Sequence, residues 1–362
     1  MSVPAPALSE AKPNVNGLPA HLHRPGSKFV QWTLTTIAVL FLTAFIVWPV
    51  ANVFRNAFGL QWSDLKPATA TSKLGEGWAK YKRTFFVPVV DPQTLPRAER
   101  RQYGRDVASA EANWNAIRMT LTTLVLVVPL NVVFGLAAAW AVTKFSFKGK
   151  TALVSLIDLP FSVSPVVAGL IFVLLFGRVG VFGGWAMNLP WPWPWSAFWR
   201  GFDGHWFPVG FEVWKQGVIF TPLATTLASA FVTFPFVARA LIPLMESQGT
   251  ESEQAAITLG ASGWQTYRRV TLPAIKWGLL YGIILCSARA VGEFGAVSVV
   301  SGGVAENDTM PLRVQKIWDG YNQQQAFALA SLLASVSILT LLLKVFIDRK
   351  QGQVTKKPRA GH

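Results

Sequence analysis

"IRMTLTTLVLVVPLNVVFGLAAAWAV" (117–142) is an apolar run with one charged residue, Arg118, at its edge. A helix needs roughly 20 such residues to cross the hydrocarbon core of a bilayer. Working outward from it, comparable runs lie at 29–53 and near 152–176, 218–242, 275–299 and 326–347. Together they predict an all-α polytopic membrane protein with six transmembrane helices. Composition agrees. Of 362 residues, 51% are hydrophobic and 14% charged, with 16 Trp and 25 Phe, which is too apolar for an ordinary soluble domain. The run at 29–53 is too long for the apolar part of a signal peptide and has no small-residue cleavage site, so it reads as a retained anchor.

Charge sets the orientation. The segment "KFSFKGK" (144–150) carries three lysines and no acid, and the tail "DRKQGQVTKKPRAGH" (348–362) is strongly basic. By the positive-inside rule both face the cytoplasm, and six spans place the N- and C-termini on that side together. The net charge of +15 is spread over loops and tails, which fits topology and anionic lipid rather than nucleic acid. The single cysteine, Cys286, lies in an apolar run and excludes an intrachain disulfide.

The expected organisation follows. Residues 1–28 are a disordered cytoplasmic tail, polar and Pro-rich. Residues 29–53 are the first span, and 54–116 an outer loop or insertion whose stretch 60–112 has mixed charge and no strong period, readable equally as a partly mobile loop or a short ordered cap. Residues 117–348 are the core, with an outer insertion near 180–215 and a cytoplasmic loop at 246–273; 349–362 form a basic tail. The Trp/Pro-rich stretch 185–208 suits an interfacial aromatic belt, with docking of an external partner as the other reading.

Ionisable and helix-breaking residues sit inside the spans. In "ILCSARAVGEFGAVSVVSGG" (284–303), Arg289 and Glu293 are four residues apart and could pair on one helix face. An intramembrane charge costs on the order of 2.5–3.5 kcal/mol, so such residues face the bundle interior or a watery cavity. Packing, gating and service to an anion path all remain open for the pair. In "DLPFSVSP" (158–165), Asp158 precedes Pro160 and Pro165, which are expected to kink or break the third span. Arg239 is expected to snorkel from the inner end of the fourth.

Catalytic signatures are missing. "KGKT" (148–151) resembles the end of a phosphate-binding loop, but Lys144 stands where the first glycine is needed. The four histidines, His21, His23, His205 and His362, form no metal-ligand set, and no Ser-His-Asp arrangement has supporting context. The chain is therefore read as having no catalytic, metal or cofactor site of its own.

The loop "ESEQAAITLGASGWQTYRRVTLP" (251–273) predicts a short helix, a stop at Gly260 and a second short helix, forming a knob on the inner face. An amphipathic linker at the lipid surface is the duller alternative, and Arg268 and Arg269 would suit it equally. Its pattern A-A-x-x-x-G, followed by V-x-L-P, resembles the "EAA" loop of bacterial ABC importer permeases. In that family the loop is a coupling helix seated in the ATPase subunit, which here implies Glu253, Gln254, Ala255, Ala256, Gly260 and Ala261. The family's glutamate falls on Gln254, which cannot form an ion pair. "DLPFSVSPVVAGL" (158–170), "TFPFVARALIPLMESQGT" (233–250), "GEFGAVSVVSG" (292–302) and "TMPLRVQKIWDGYN" (309–322) together resemble sulfate/thiosulfate permeases of the CysW type.

That resemblance implies a type I permease fold in the bacterial inner membrane and import of sulfate or thiosulfate. It also implies several partners: a second permease subunit, two ATP-binding subunits that hold ATP and Mg, and a periplasmic sulfate-binding protein. Asp158, Pro160, Pro165, Arg289 and Glu293 become candidates for the path or its gate. A molybdate or tungstate permease is the nearest alternative. An ion-coupled secondary transporter, a channel and a membrane scaffold are more distant ones.

Overall fold

The computed structural model describes residues 28–61, 70–177, 179–183 and 218–356. The readings made for the tail 1–28, the Trp/Pro stretch 185–208, the last residues of the basic tail and all four histidines lie outside the described residues, apart from Lys28. Every regular element among the described residues is helical. The chain divides into two units, 1–52 and 53–362. The first contains most of α1 (Phe29–Ala57), a helix of spanning length with a π-helical turn at Thr43–Val47.

In the second unit, α2 (Ala70–Arg83) precedes α3 (Arg97–Lys144), whose 48 residues far exceed the predicted span 117–142. The outer part, 97–116, is helix rather than loop. Its polar sequence has no apolar period, but distant partners hold it. Asn113 Nδ2 donates to Thr84 O (2.9 Å), Trp114 Nε1 donates to Phe85 O (2.8 Å), and Arg313 Nε donates to Asn113 Oδ1 (2.9 Å).

The third span is broken. Helices α4 (Lys150–Ser162) and α5 (Pro165–Phe176) meet at 109°. The cause is local: Ser164 precedes a proline and is driven out of the helical region (φ −58°, ψ 136°), while Pro165 is suited to the first position of a new helix. Pro160 sits inside α4 with its side chain buried. A 13-residue helix rises about 20 Å, so neither half crosses the bilayer alone.

Spans four and six, α6 (Pro222–Gln248) and, after the short helix α10 (Met310–Asp319), the membrane part of α11 (Gln323–Lys356), lie close to their predicted positions. The last helix runs to Lys356, so much of the basic tail continues it. Span five is shifted. It comprises α8 (Gly263–Val291), not 275–299, because the helix stops at Gly292 and a new short helix, α9 (Gly295–Val300), begins. Among the described residues, five long apolar helices, with the bent pair counted as one more, thus supply up to six spans.

Polar side chains join three spans inside the bundle. Asn131 Nδ2 donates to Thr233 Oγ1 (2.7 Å) and to Cys286 Sγ (3.5 Å), and Thr233 Oγ1 donates to Ser229 O. Hydrocarbon offers no water, so each buried polar group needs such a partner. Around them Ala139, Val237, Leu241, Met245, Ile275 and Cys286 form a continuous core. Gly135 lets α3 approach α6 closely, since a Cβ there would stand 2.8 Å from Val237 Cβ.

Candidate functional site

The knob predicted at 251–273 is present. Its first helix is α7 (Glu251–Thr258). It ends in a paired closure, with Ala261 N donating to Ala256 O (3.0 Å) and Gly260 N to Ile257 O (2.9 Å). That double bond requires a left-handed residue between helix and exit, and Gly260 adopts φ +87°. The next helix restarts one residue later through a reciprocal cap. Gln265 N donates to Ser262 Oγ (3.3 Å) and Ser262 N donates to Gln265 Oε1 (2.9 Å). The S-x-x-Q spacing at 262–265 is the signal that marks this restart in sequence. A π-helical turn, Tyr267–Thr271, then leads into the membrane part of α8.

Contacts made through Lys144, Thr271 and Trp140 fasten the knob to the bundle. Lys144, the last residue of α3, places Nζ 3.0 Å from Glu253 Oε2 and donates to Gly249 O (2.7 Å). Thr271 Oγ1 donates to Glu253 Oε1 (2.7 Å). Tyr267 stacks on Trp140 of α3, with ring centroids 4.7 Å apart. Glu253 is therefore the acid that joins α7 to both α3 and α8. Gln254, the position matching the family's glutamate, is exposed and turns back to Thr250 Oγ1 (3.2 Å). Ala255 and Gly260 are exposed, and Ala256 and Ala261 half-buried. Beside them stand Ile257, Leu259 and Trp264, with Leu259 88% exposed. These three large apolar side chains are left open by the described residues.

The two intramembrane pairs differ in character. Arg289 and Glu293 do pair, with Nη1 2.6 Å from Oε2, but not along one continuous helix. Glu293 lies in the break after α8, and its Oε1 accepts from Ala296 N (2.9 Å) in the first turn of α9. Its other oxygen makes a close ionic contact rather than an aligned hydrogen bond. The acid caps one helix while the arginine occupies the last turn of the other, where a cation is favoured. Glu293 is 1% exposed, so its charge serves this junction. Close packing completes it: a Cβ on Gly169 of α5 would stand 2.8 Å from Ala296 O.

The other pair was missed in sequence. Arg239 Nε donates to Asp158 Oδ1 (2.7 Å), and its guanidinium carbon lies 4.9 Å from the centre of the Phe161 ring. Arg239 therefore does not merely snorkel to the inner surface; it bridges α6 to α4. No sequence spacing links residues on separate helices. Asp158, Pro160 and Pro165 are thus brought to the broken span, whereas Arg289 and Glu293 join α8 to α9.

The family described as binding-protein-dependent transport system inner membrane component matches residues 131–353. The chain belongs to that family. Such membership sets aside the ion-coupled transporter and scaffold readings and makes the chain a multi-pass membrane permease. Among similar proteins, a sulfate transport system permease protein CysW of Synechococcus elongatus is 46% identical over 242 residues, spanning 67% of this chain and 76% of the relative. A sulfate transport system permease protein CysT of Escherichia coli K12 is 34% identical over 227 residues, 62% and 73% of the two chains. The permease fold also resembles that of a bacterial alginate ABC transporter solved in complex with its pentasaccharide-bound periplasmic protein. There the identity is 16% and the TM-score 0.56, over 91% and 96% of the chains.

Proposed function

We propose that this permease is one of two transmembrane subunits of an ATP-driven importer of sulfate and thiosulfate in the bacterial inner membrane. The observation that carries the reading is the cytoplasmic knob: an exposed apolar cluster at Ile257, Leu259 and Trp264, turned by Gly260 and tied to α3 and α8 through Glu253. A partner ATPase that grips this cluster would pull on two spans at once. Two such subunits would bind and hydrolyse ATP with Mg. A second, CysT-like permease would complete the membrane pair, and a periplasmic sulfate-binding protein would deliver the anion. ATP binding would draw the knobs together and switch the bundle between outward- and inward-open states. The substrate follows the relatives' names, and Arg289, neutralised by the buried Glu293, suits a path that must release its anion. Uptake of radiolabelled sulfate in a strain lacking this chain tests the reading. Restored uptake that thiosulfate suppresses more strongly than molybdate is expected; stronger suppression by molybdate would reassign the cargo.

A further inference from the structure

Inside the spans, the Asp158–Arg239 pair is open on both partners, with side chains 36% and 54% exposed, whereas in the other pair Arg289 is 33% and Glu293 1% exposed. Its depth follows from the helices. Asp158 lies eight residues from the start of α4 and Arg239 nine from the end of α6, so both sit about 12–14 Å from the cytoplasmic ends. Charges at that depth do not face lipid without a large cost.

The rest of α4 repeats the message. Thr151, Ser155, Asp158 and Ser162 recur at spacings of four, three and four, which stacks them on one stripe along the helix. Thr151, Ser155 and Ser162 are exposed, while Ile157 and Pro160, on the opposite side, are buried against the bundle. The polar stripe runs from the cytoplasmic end to the break before Pro165. An apolar face would suit lipid or tight packing against another permease chain; a continuous polar stripe crossing half the membrane suits water.

We infer that this face of α4, with Arg239, lines the aqueous path, and that Arg239 is a transient contact for the tetrahedral dianion. The guanidinium carries five N–H donors, of which the Nε one is engaged by Asp158. The remaining donors are the right chemistry for sulfate oxygens. Asp158 balances the charge, which keeps the anion from being trapped. The Phe161 ring fixes the guanidinium plane from the side. This inference rests on the proposed oxyanion cargo, but the water path itself does not.

Two measurements on the complete transporter in proteoliposomes test it. Ser155→Cys, Ser162→Cys and, as a control on the helix flank, Leu156→Cys are treated with a membrane-impermeant anionic methanethiosulfonate. The native Cys286 is buried and serves as an internal unreactive control. Labelling at 155 and 162 at least ten-fold faster than at 156 is expected. Slow labelling at 155 and 162 would overturn the path. In the second arm, Arg239→Gln is expected to lower sulfate uptake at least ten-fold with the labelling pattern kept, and Arg239→Lys to recover part of it. Full uptake by Arg239→Gln would overturn the anion contact. A wild-type transporter that moves molybdate and no sulfate would contradict the cargo alone, and the same Arg239 comparison made with molybdate would then judge the contact.

Discussion

Glu253 and Gln254 are neighbours in sequence, yet only one of them holds the knob to the membrane. Successive helical residues point about 100° apart, so choosing between them from spacing alone fails. The choice is made by Lys144, whose nearly buried ammonium reaches Glu253 from a distant segment. Replacing Glu253 by Gln leaves that lysine without its counter-charge and is expected to cost on the order of 1–3 kcal/mol locally. Sulfate-dependent ATPase activity of the assembled transporter should fall sharply. Gln254→Glu should change it little; equal loss in both variants would contradict the assignment. Asp308, between the fifth and sixth spans, is a second residue with a clear sign. Burial pushes its carboxyl above the ordinary range, although Lys316 Nζ at 2.7 Å pulls the other way, and its Oδ2 has no partner. The folded chain therefore holds a proton here at higher pH than the unfolded chain. Stability from this site is full below the ordinary carboxylate range and falls as pH rises through the raised value. Asp308→Asn should accordingly leave Tm at pH 7 unchanged or raised. Lys316→Met, which strands the buried acid, should lower stability by up to about 3 kcal/mol. Thermal unfolding in detergent at pH 7 and pH 4 would show whether this order holds.

Among the elements, the knob was the most readable because its punctuation is local. A helix, a glycine and a Ser-x-x-Gln restart need no knowledge of the rest of the chain. Gly260 is open to solvent, so a side chain there meets no atom within 4 Å and the penalty is purely conformational. Forcing φ +87° on alanine costs roughly 1–2 kcal/mol, whereas asparagine tolerates such a turn. Uptake should rank Gly260 above Gly260→Asn and that above Gly260→Val, with membrane insertion equal in all three. The broken third span was half readable: the prolines announced an interruption, but a kink and a 109° break share the same signal. What separates them is the docking of α5 on α9 through Gly169, a tertiary contact. Gly169→Val should push these helices apart at about 1–3 kcal/mol of overpacking, read as lost thermal stability. The outer half of α3 was misread for the complementary reason. Its polar residues show no apolar period, and its helix is held by side chains from segments far away.

For the molecule as a whole, spans and family could be seen in the order of apolar runs and a few ordered motifs. Which charges face inward could not, because both pairs depend on how helices meet. The resulting picture is mechanical. A knob with an apolar tip is clamped to α3 and leads directly into α8, while α4 carries a polar face beside Arg239. Force taken up at the tip would reach the two spans that frame the core, and the permease supplies no energy itself. Reconstitution tests this most directly: purified chain alone, and chain with its sister permease, ATPase and binding protein, are loaded into vesicles and sulfate uptake is followed with and without ATP. Uptake should occur only in the complete assembly with ATP, and should vanish when Leu259 and Trp264 are replaced by aspartate. Sulfate movement by the chain alone, or ATP-driven uptake that survives loss of the apolar tip, would contradict the account.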